Sequence, residues 1–238
     1  MALPLPDGAP IYTRGAYVVS DSNAAAWRAA EAWARSGAPA FIICGPAGSG
    51  KTHLASILAQ DLGGQFCDLA ATEAPPPGDG AIVFDNLPGN APHKLFAFIE
   101  DLAARRRRLV LAGAGRPGEW SGGLKDLRTR LEAMPRANLG EPDETLIRCV
   151  IAKGFRDRQV AVAPEVVNFV ALRLQRKFAA ARAFVVAADR AALEEKRKIS
   201  IAFAQEIIDN LLQREPGVGG EDTAQPRSDE GGAIAVSR

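Results

Sequence analysis

The sequence predicts an α/β fold: a parallel β-sheet flanked by helices, followed by a small all-helical lid domain. Three observations carry that prediction. A short apolar run stops at a glycine-rich loop and resumes as a helix, strand-like and helical segments alternate over residues 40–112, and strand-like runs cease after about Pro142. At 238 residues, 47% of them apolar, the chain can build one α/β domain with a small companion, and not three packed units.

The elements follow in order. Residues 1–10 hold three prolines and a glycine, which predicts an extended arm over residues 1–11. Asp21-Ser22-Asn23 reads as a cap cluster ahead of an alanine-rich helix over Ala24–Arg35. Ala40–Cys44 is a buried strand ended by Gly45, and Thr52–Leu62 has helical spacing. Two more strands, Ala81–Phe84 and Leu109–Ala112, flank a helix over His93–Arg107; this β-α-β order implies parallel strands joined by right-handed crossovers. Residues 12–140 make up this domain, and residues 141–213 the lid, with helices over Asp143–Lys153, Pro164–Leu174, Ala179–Leu193 and Ser200–Leu212. Ser200 is placed to cap the last of them, whose apolar face comprises Ile201, Phe203, Ile207, Ile208 and Leu211. Residues 214–238, rich in Gly, Pro, Asp and Glu, predict a disordered tail.

Composition excludes several function classes. The 29 basic and 28 acidic side chains nearly cancel, so the overall field does not suit nonspecific coating of nucleic acid. Cys44, Cys67 and Cys149 are far apart and form no CxxC pair, which argues against a zinc site or a disulfide framework. Two histidines, His53 and His93, are too few for a metal cluster. No apolar run approaches the roughly 18 residues a membrane span needs, and no leader pattern opens the chain; a cytoplasmic protein is expected.

Gly45-Pro46-Ala47-Gly48-Ser49-Gly50-Lys51-Thr52 satisfies GxxxxGK[ST] between a strand and a helix, where a phosphate loop has to stand. Its glycines let backbone N–H groups close around phosphate oxygens, Lys51 reaches the terminal phosphates, and Thr52 is the expected Mg²⁺ ligand. The expected cofactor is ATP or ADP with Mg²⁺. Ile82-Val83-Phe84-Asp85 is its natural partner, an apolar strand ending in a carboxylate that serves catalysis through the magnesium shell. Asn86 follows where a second acid would orient the attacking water, and an amide cannot accept its proton, so slow hydrolysis is expected. The block Arg105–Arg108 either meets DNA phosphates or an acidic partner, or complements a helix end.

Taken together, these residues resemble the AAA+ ATPases of the DnaA family and, within it, the short Hda-type regulators of replication initiation. The likeness covers about residues 12–212. It rests on Gly50-Lys51-Thr52-His53-Leu54, Asp85-Asn86, Leu127-Arg128-Thr129-Arg130-Leu131 and the ending Lys196-Arg197-Lys198-Ile199-Ser200-Ile201 with Phe203 and Glu206-Ile207-Ile208. The resemblance implies that Tyr17 and Val18 contact the adenine, that the loop through His53 lines the nucleotide, and that Arg130 is an arginine finger. It implies DnaA as partner, the DNA polymerase III sliding clamp as platform through the N-terminal arm, and DNA met only indirectly; self-association stays open. After Leu212 the chain is too short and too polar for the helix-turn-helix of the initiator, which favours the regulator. Three positions depart from the pattern. The sensor I stretch Ala112-Gly113-Ala114-Gly115 offers no polar side chain, and the sensor II arginine falls within Ala179-Ala180-Ala181 with Arg182 its nearest substitute. The arm, Ala2-Leu3-Pro4-Leu5-Pro6-Asp7, lacks the glutamine of a clamp-docking peptide. An independent ATPase such as a helicase loader, and a nucleotide-locked scaffold that never turns over, are the alternatives.

Overall fold

The computed structural model describes residues 12–87 and 91–214. The arm over residues 1–11 and all but the first residue of the expected tail lie outside the described residues.

Five parallel strands, β1 (Ala40–Cys44), β2 (Gln65–Cys67), β3 (Ile82–Leu87), β4 (Leu109–Gly113) and β5 (Arg136–Asn138), form one sheet in the order β2-β3-β4-β1-β5. Side chains alternate across it. Phe41, Ile43, Val83 and Val110 pack against α1 (Ala24–Ser36) and α2 (Lys51–Asp61) through Trp33, Leu54 and Leu58. Ile42, Ile82, Phe84 and Leu111 face α3 (Pro92–Ala104) and α4 (Lys125–Ala133) through Leu95, Phe98, Leu127 and Leu131. Covered on both sides, the central strands read as continuous apolar runs, which is why they stand out in the sequence. Each large side chain so buried contributes about 1.5–3 kcal/mol.

β2, β5 and α4 were not among the expected elements. The two strands are three-residue edges with exposed polar positions, and α4 buries only Leu127 and Leu131 of its nine residues. The helix expected to reach Arg107 ends at Ala104, because Arg106 takes a left-handed conformation (φ 54°). Within the arginine block, Arg105 pairs with Asp101, and Arg107 is buried and donates to the carbonyls of Pro76 and Gly80. The Arg108 guanidinium lies 3.9 Å from the Trp33 ring centre and donates to the Trp33 and Ala34 carbonyls. Arg107 and Arg108 therefore fasten the start of β4 to neighbouring loops and are not free to meet phosphates.

The lid comprises α5 (Glu144–Asp157), α6 (Pro164–Ala171), α7 (Phe178–Glu195) and α8 (Ile201–Arg214), packed around Ile151, Phe155, Val170, Phe184 and Phe203. Ser200 accepts from the Phe203 N–H at 3.3 Å, but Ile201 turns away from the apolar face and is 43% exposed. Asn23 does not cap α1. Its backbone (φ −125°, ψ −3°) is outside the extended region a cap requires, and its side chain instead accepts from Ser20 N–H and donates to the Val18 carbonyl.

Asp143 caps α5. Its carboxylate accepts from Leu146 N–H (2.7 Å) at the start of α5 and from Ser22 N–H (3.1 Å), joining the lid to the segment before α1. Burial opposes its ionisation, but the Leu146 and Ser22 hydrogen bonds outweigh burial and hold the carboxyl below its usual range. Asp143→Ala should cost about 1 kcal/mol in urea unfolding at pH 7. A carboxylate stabilised in the fold contributes fully above its unfolded pKa of about 3.9 and loses that contribution as pH falls through the folded value, so the mutant's deficit should shrink in acid.

Candidate nucleotide site

The phosphate loop leaves the C-terminal end of β1 and enters α2 directly at Lys51. Gly50 sits at φ 94°, a left-handed conformation that turns the chain into the helix and that an L side chain would strain. At Gly45 a Cβ would collide with the Leu139 carbonyl after β5, so the loop passes too close to its neighbour for any other residue. The Lys51 ammonium folds back and donates to the carbonyls of Gly45 (2.9 Å) and Pro46 (2.7 Å). Burial lowers its pKa, against the attraction of Asp85.

Thr52 Oγ1 donates to Asp85 Oδ2 at 2.7 Å, which brings the two expected metal ligands together from α2 and the end of β3. A hydroxyl and one carboxylate suit Mg²⁺, which takes one or two protein oxygens and completes its shell with phosphates and water. No group of three His, Cys, Asp or Glu that could hold a metal ion by itself occurs among the described residues. Asn86 follows in a left-handed conformation (φ 63°) at a register shift of β3 against β4, its N–H donating to Asp85 Oδ1 at 2.8 Å. Asn is a residue type that tolerates this geometry, so the bulge itself accommodates the amide. Between β3 and β1 lies β4, whose end is the bare stretch Ala112-Gly113-Ala114-Gly115.

On the other side of the loop, Tyr17 stacks on Trp27 (ring centres 5.0 Å apart) and meets His53 edge-on at 5.0 Å. Burial pushes the Tyr17 phenol up to about 12, opposed by the neighbouring Asn23 side chain. Tyr17, Val18 and Ser49 line a narrow cleft with Asn23, Leu146, Val150, Phe178 and Arg182, of about 30 Å³. That is room for roughly one water. His53 stands behind this cleft, packed between Tyr12 and Tyr17 with Nε2 3.0 Å from the Thr13 carbonyl. Burial pushes its pKa down, helped by Arg182 and opposed by the Thr13 carbonyl, so the ring is a neutral packing element. Leu146, Val150 and Phe178 reach the cleft from the lid; helical spacing marks Leu146 and Val150 as apolar positions, but nothing in it points to the cleft.

Arg130 is elsewhere. It lines a groove with Pro39, Ala40 and Leu109, at the start of β1 and β4, whereas the phosphate loop lies at their end, roughly 15 Å along a five-residue strand. Its guanidinium pairs with Glu100 at 2.7 Å, and Glu132 pairs with Arg128. A wider cleft of about 960 Å³ lies against Cys44 and Gly45, walled by Arg116, Glu119, Arg128, Glu132 and Arg136. Lys51, Thr52 and Asp85 do not line it, so it is not the phosphate site.

No family model matches the chain, and no curated protein matches it by sequence. Solved structures do match. Domain III of the Thermotoga maritima replication initiation protein DnaA superposes with a TM-score of 0.71 over 86% of this chain and 98% of that one, at 18% identity. The fold is that of the AAA+ ATPases. The Thermotoga maritima RuvB Holliday junction branch migration motor matches at a TM-score of 0.63 and 19% identity, covering 78% of this chain and 67% of its own. A replication initiator DnaA bound to AMPPCP and single-stranded DNA matches at 0.61 and 15% identity, over 78% and 68%. The AAA+ fold accounts for a parallel sheet whose strand ends carry the loop and Asp85, roofed by a helical lid. Among the described residues no helix is long and apolar enough to cross a membrane.

Proposed function

We propose that the chain binds ATP or ADP with Mg²⁺ and acts as an Hda-like regulator: it associates with the initiator DnaA in the cytoplasm and promotes hydrolysis of DnaA-bound ATP. One observation carries this reading. A complete loop and a Thr52–Asp85 pair are combined with Asn86 and a bare β4 end, while Arg130, the arginine that the sequence resemblance marks as a finger, lies a strand's length from its own loop. The chain is thus equipped to hold a nucleotide and poorly equipped to hydrolyse it, with a cation available to a neighbouring molecule. Loop N–H groups and Lys51 bind the phosphates, Thr52 and Asp85 would hold the magnesium, and Tyr17 with Val18 orients the base. Magnesium neutralises charge on the phosphates when bound. The division into residues 12–140 and 141–213 belongs to the same reading, with the two units closing on the nucleotide. Leu3, Leu5 and Pro6 of the arm are the apolar anchors for the sliding clamp.

The test is turnover of DnaA-bound ATP measured alone, with this protein, and with this protein plus DNA-loaded clamp. Acceleration is expected in the second arm and more in the third. An unchanged DnaA rate, with ATP turned over by this protein alone on single-stranded DNA, would instead establish an independent ATPase of the helicase-loader kind. Intrinsic turnover should be slow, and Asn86→Asp should raise it by about tenfold or more, because an aspartate tolerates the same left-handed backbone and supplies the missing proton acceptor. A steady-state assay of the purified mutant decides it.

A further inference from the structure

β5 is an edge of the sheet, bonded to β1 on one side only. The Ile42 N–H donates to the Pro135 carbonyl and the Leu139 N–H to the Cys44 carbonyl, which fixes the phase of this parallel ladder. Main-chain groups turn to opposite sides at alternate residues, so Ala137 also faces β1, while Arg136 and Asn138 direct their N–H and C=O groups away from it. Both residues are exposed, and neither main chain has a partner on that side among the described residues. Side chains alternate as well. Ala137 is buried among residues of α1, whereas Arg136 and Asn138 line the wide cleft of about 960 Å³. Three arginines and two glutamates line that cleft, and both glutamates are engaged. Glu132 pairs with Arg128 at 2.9 Å, and Glu119 accepts from the Arg116 main-chain N–H at 3.1 Å. The Arg136 guanidinium donates to the Glu132 carbonyl at 3.0 Å, and neither it nor the Arg116 guanidinium forms an ion pair among the described residues.

We propose that the open side of β5 is a docking surface for an extended acidic segment of a partner protein, which adds to the sheet as a sixth strand and sends carboxylates to Arg116 and Arg136. An open edge supplies main-chain hydrogen bonds to any extended chain, and the period of two along a strand turns every second side chain of that chain toward the cleft. The planar guanidinium fork matches a carboxylate, so the two arginines select what the edge alone would accept unselectively. Charge complementarity favours a peptide over a nucleic acid. A nucleic acid strand carries a phosphate at every nucleotide and would meet Glu119 and Glu132, whereas a peptide has carboxylates only where its sequence places them. Among the described residues no aromatic side chain lines the cleft to give a base a stacking platform.

Fluorescence anisotropy on the full chain tests this, with a labelled eight-residue peptide of alternating glutamate and valine as the probe. Saturable binding is expected, and Arg116→Ala and Arg136→Ala should each weaken it by about tenfold, the effect of one charge-assisted contact. Circular dichroism of both mutants should match the parent, because each side chain is exposed and neither belongs to the sheet's core. A peptide of alternating lysine and valine should not bind. Methylating the backbone nitrogens of one of the two alternating sets in the probe should abolish binding, and hydrogen exchange should show new protection at the Arg136 and Asn138 N–H groups when the unmethylated probe is bound. If the probe does not bind, or binds both mutants like the parent, Arg136 is only a charge that guards a sheet edge, and the proposal fails. If both methylated probes bind like the unmethylated one, the cleft holds carboxylates without a strand, and the addition to the sheet is wrong. A thymidine oligonucleotide that displaces the probe and binds more tightly would make this a nucleic-acid surface. A dimer in sedimentation that the probe dissociates would make a second copy of the chain the occupant. Either result overturns the acidic partner.

Discussion

Lys51→Ala is expected to fold and to lose about 100-fold of its affinity for ATP and ADP. Removing a hydrogen-bonded charge from a phosphate costs up to about 3 kcal/mol, and 1.4 kcal/mol is a factor of ten in binding. Folding is spared for reasons visible around the residue. Lys51 opens α2, where alanine is a good helix former, and its ammonium bonds only to the loop carbonyls of Gly45 and Pro46. The residues that anchor α2 to the sheet, Leu54, Ile57 and Leu58, are buried and untouched. Circular dichroism should therefore be unchanged while calorimetry loses the binding isotherm, and equal affinities for mutant and parent would remove the phosphate-loop assignment. A pH series adds an independent check. Burial lowers the lysine's pKa, so its charge is lost at a lower pH than that of an ordinary lysine, near 10.4, and the parent's affinity should decline on the alkaline side before that point. The mutant should show no such decline.

How far the sequence already disclosed this arrangement depends on the distance over which each contact acts. β1 and the loop that follows it are local: an apolar run, glycines at fixed spacing and a helix start are all within 13 residues, and the strand forms over Ala40–Cys44 as expected. Asp85 was legible for the same reason, as the end of an apolar strand. The edge strands β2 and β5 were not, because three half-exposed residues have no periodicity to detect. Asn23 shows a different failure. Its residue type suits a helix cap, but a turn at Ser20 claims both ends of its side chain, while Asp143, 120 positions later, caps a helix and receives the Ser22 N–H. The arginine block could be read two ways until the carbonyls around Arg107 and Arg108 were known.

Arg130→Ala should leave the protein folded, leave its own nucleotide binding intact, and abolish the stimulation of DnaA that we propose for it. The first two expectations follow from where the side chain is. The Arg130–Glu100 pair is nearly half exposed at both ends, and exposed pairs of this kind are worth under about 1 kcal/mol. Arg130 is also at the start of β1 and β4, a strand's length from Lys51 and Thr52, so its loss does not disturb the phosphates bound in cis. The third follows from the chemistry of a finger. A guanidinium brought to the γ-phosphate of a neighbouring molecule neutralises charge developing there, and such a group contributes about 10³ to 10⁵ in rate in related nucleotidases. Glu100 supplies the control that separates a finger from a structural ion pair. If the pair only holds α3 to α4, Glu100→Ala and Arg130→Ala should have the same small effect on DnaA turnover. If Glu100 merely parks the guanidinium between encounters, Glu100→Ala frees it and stimulation persists or rises, while Arg130→Ala still removes it. Matched loss of activity in both mutants would return Arg130 to the surface of this protein, and divergence would assign its charge to the active site of another.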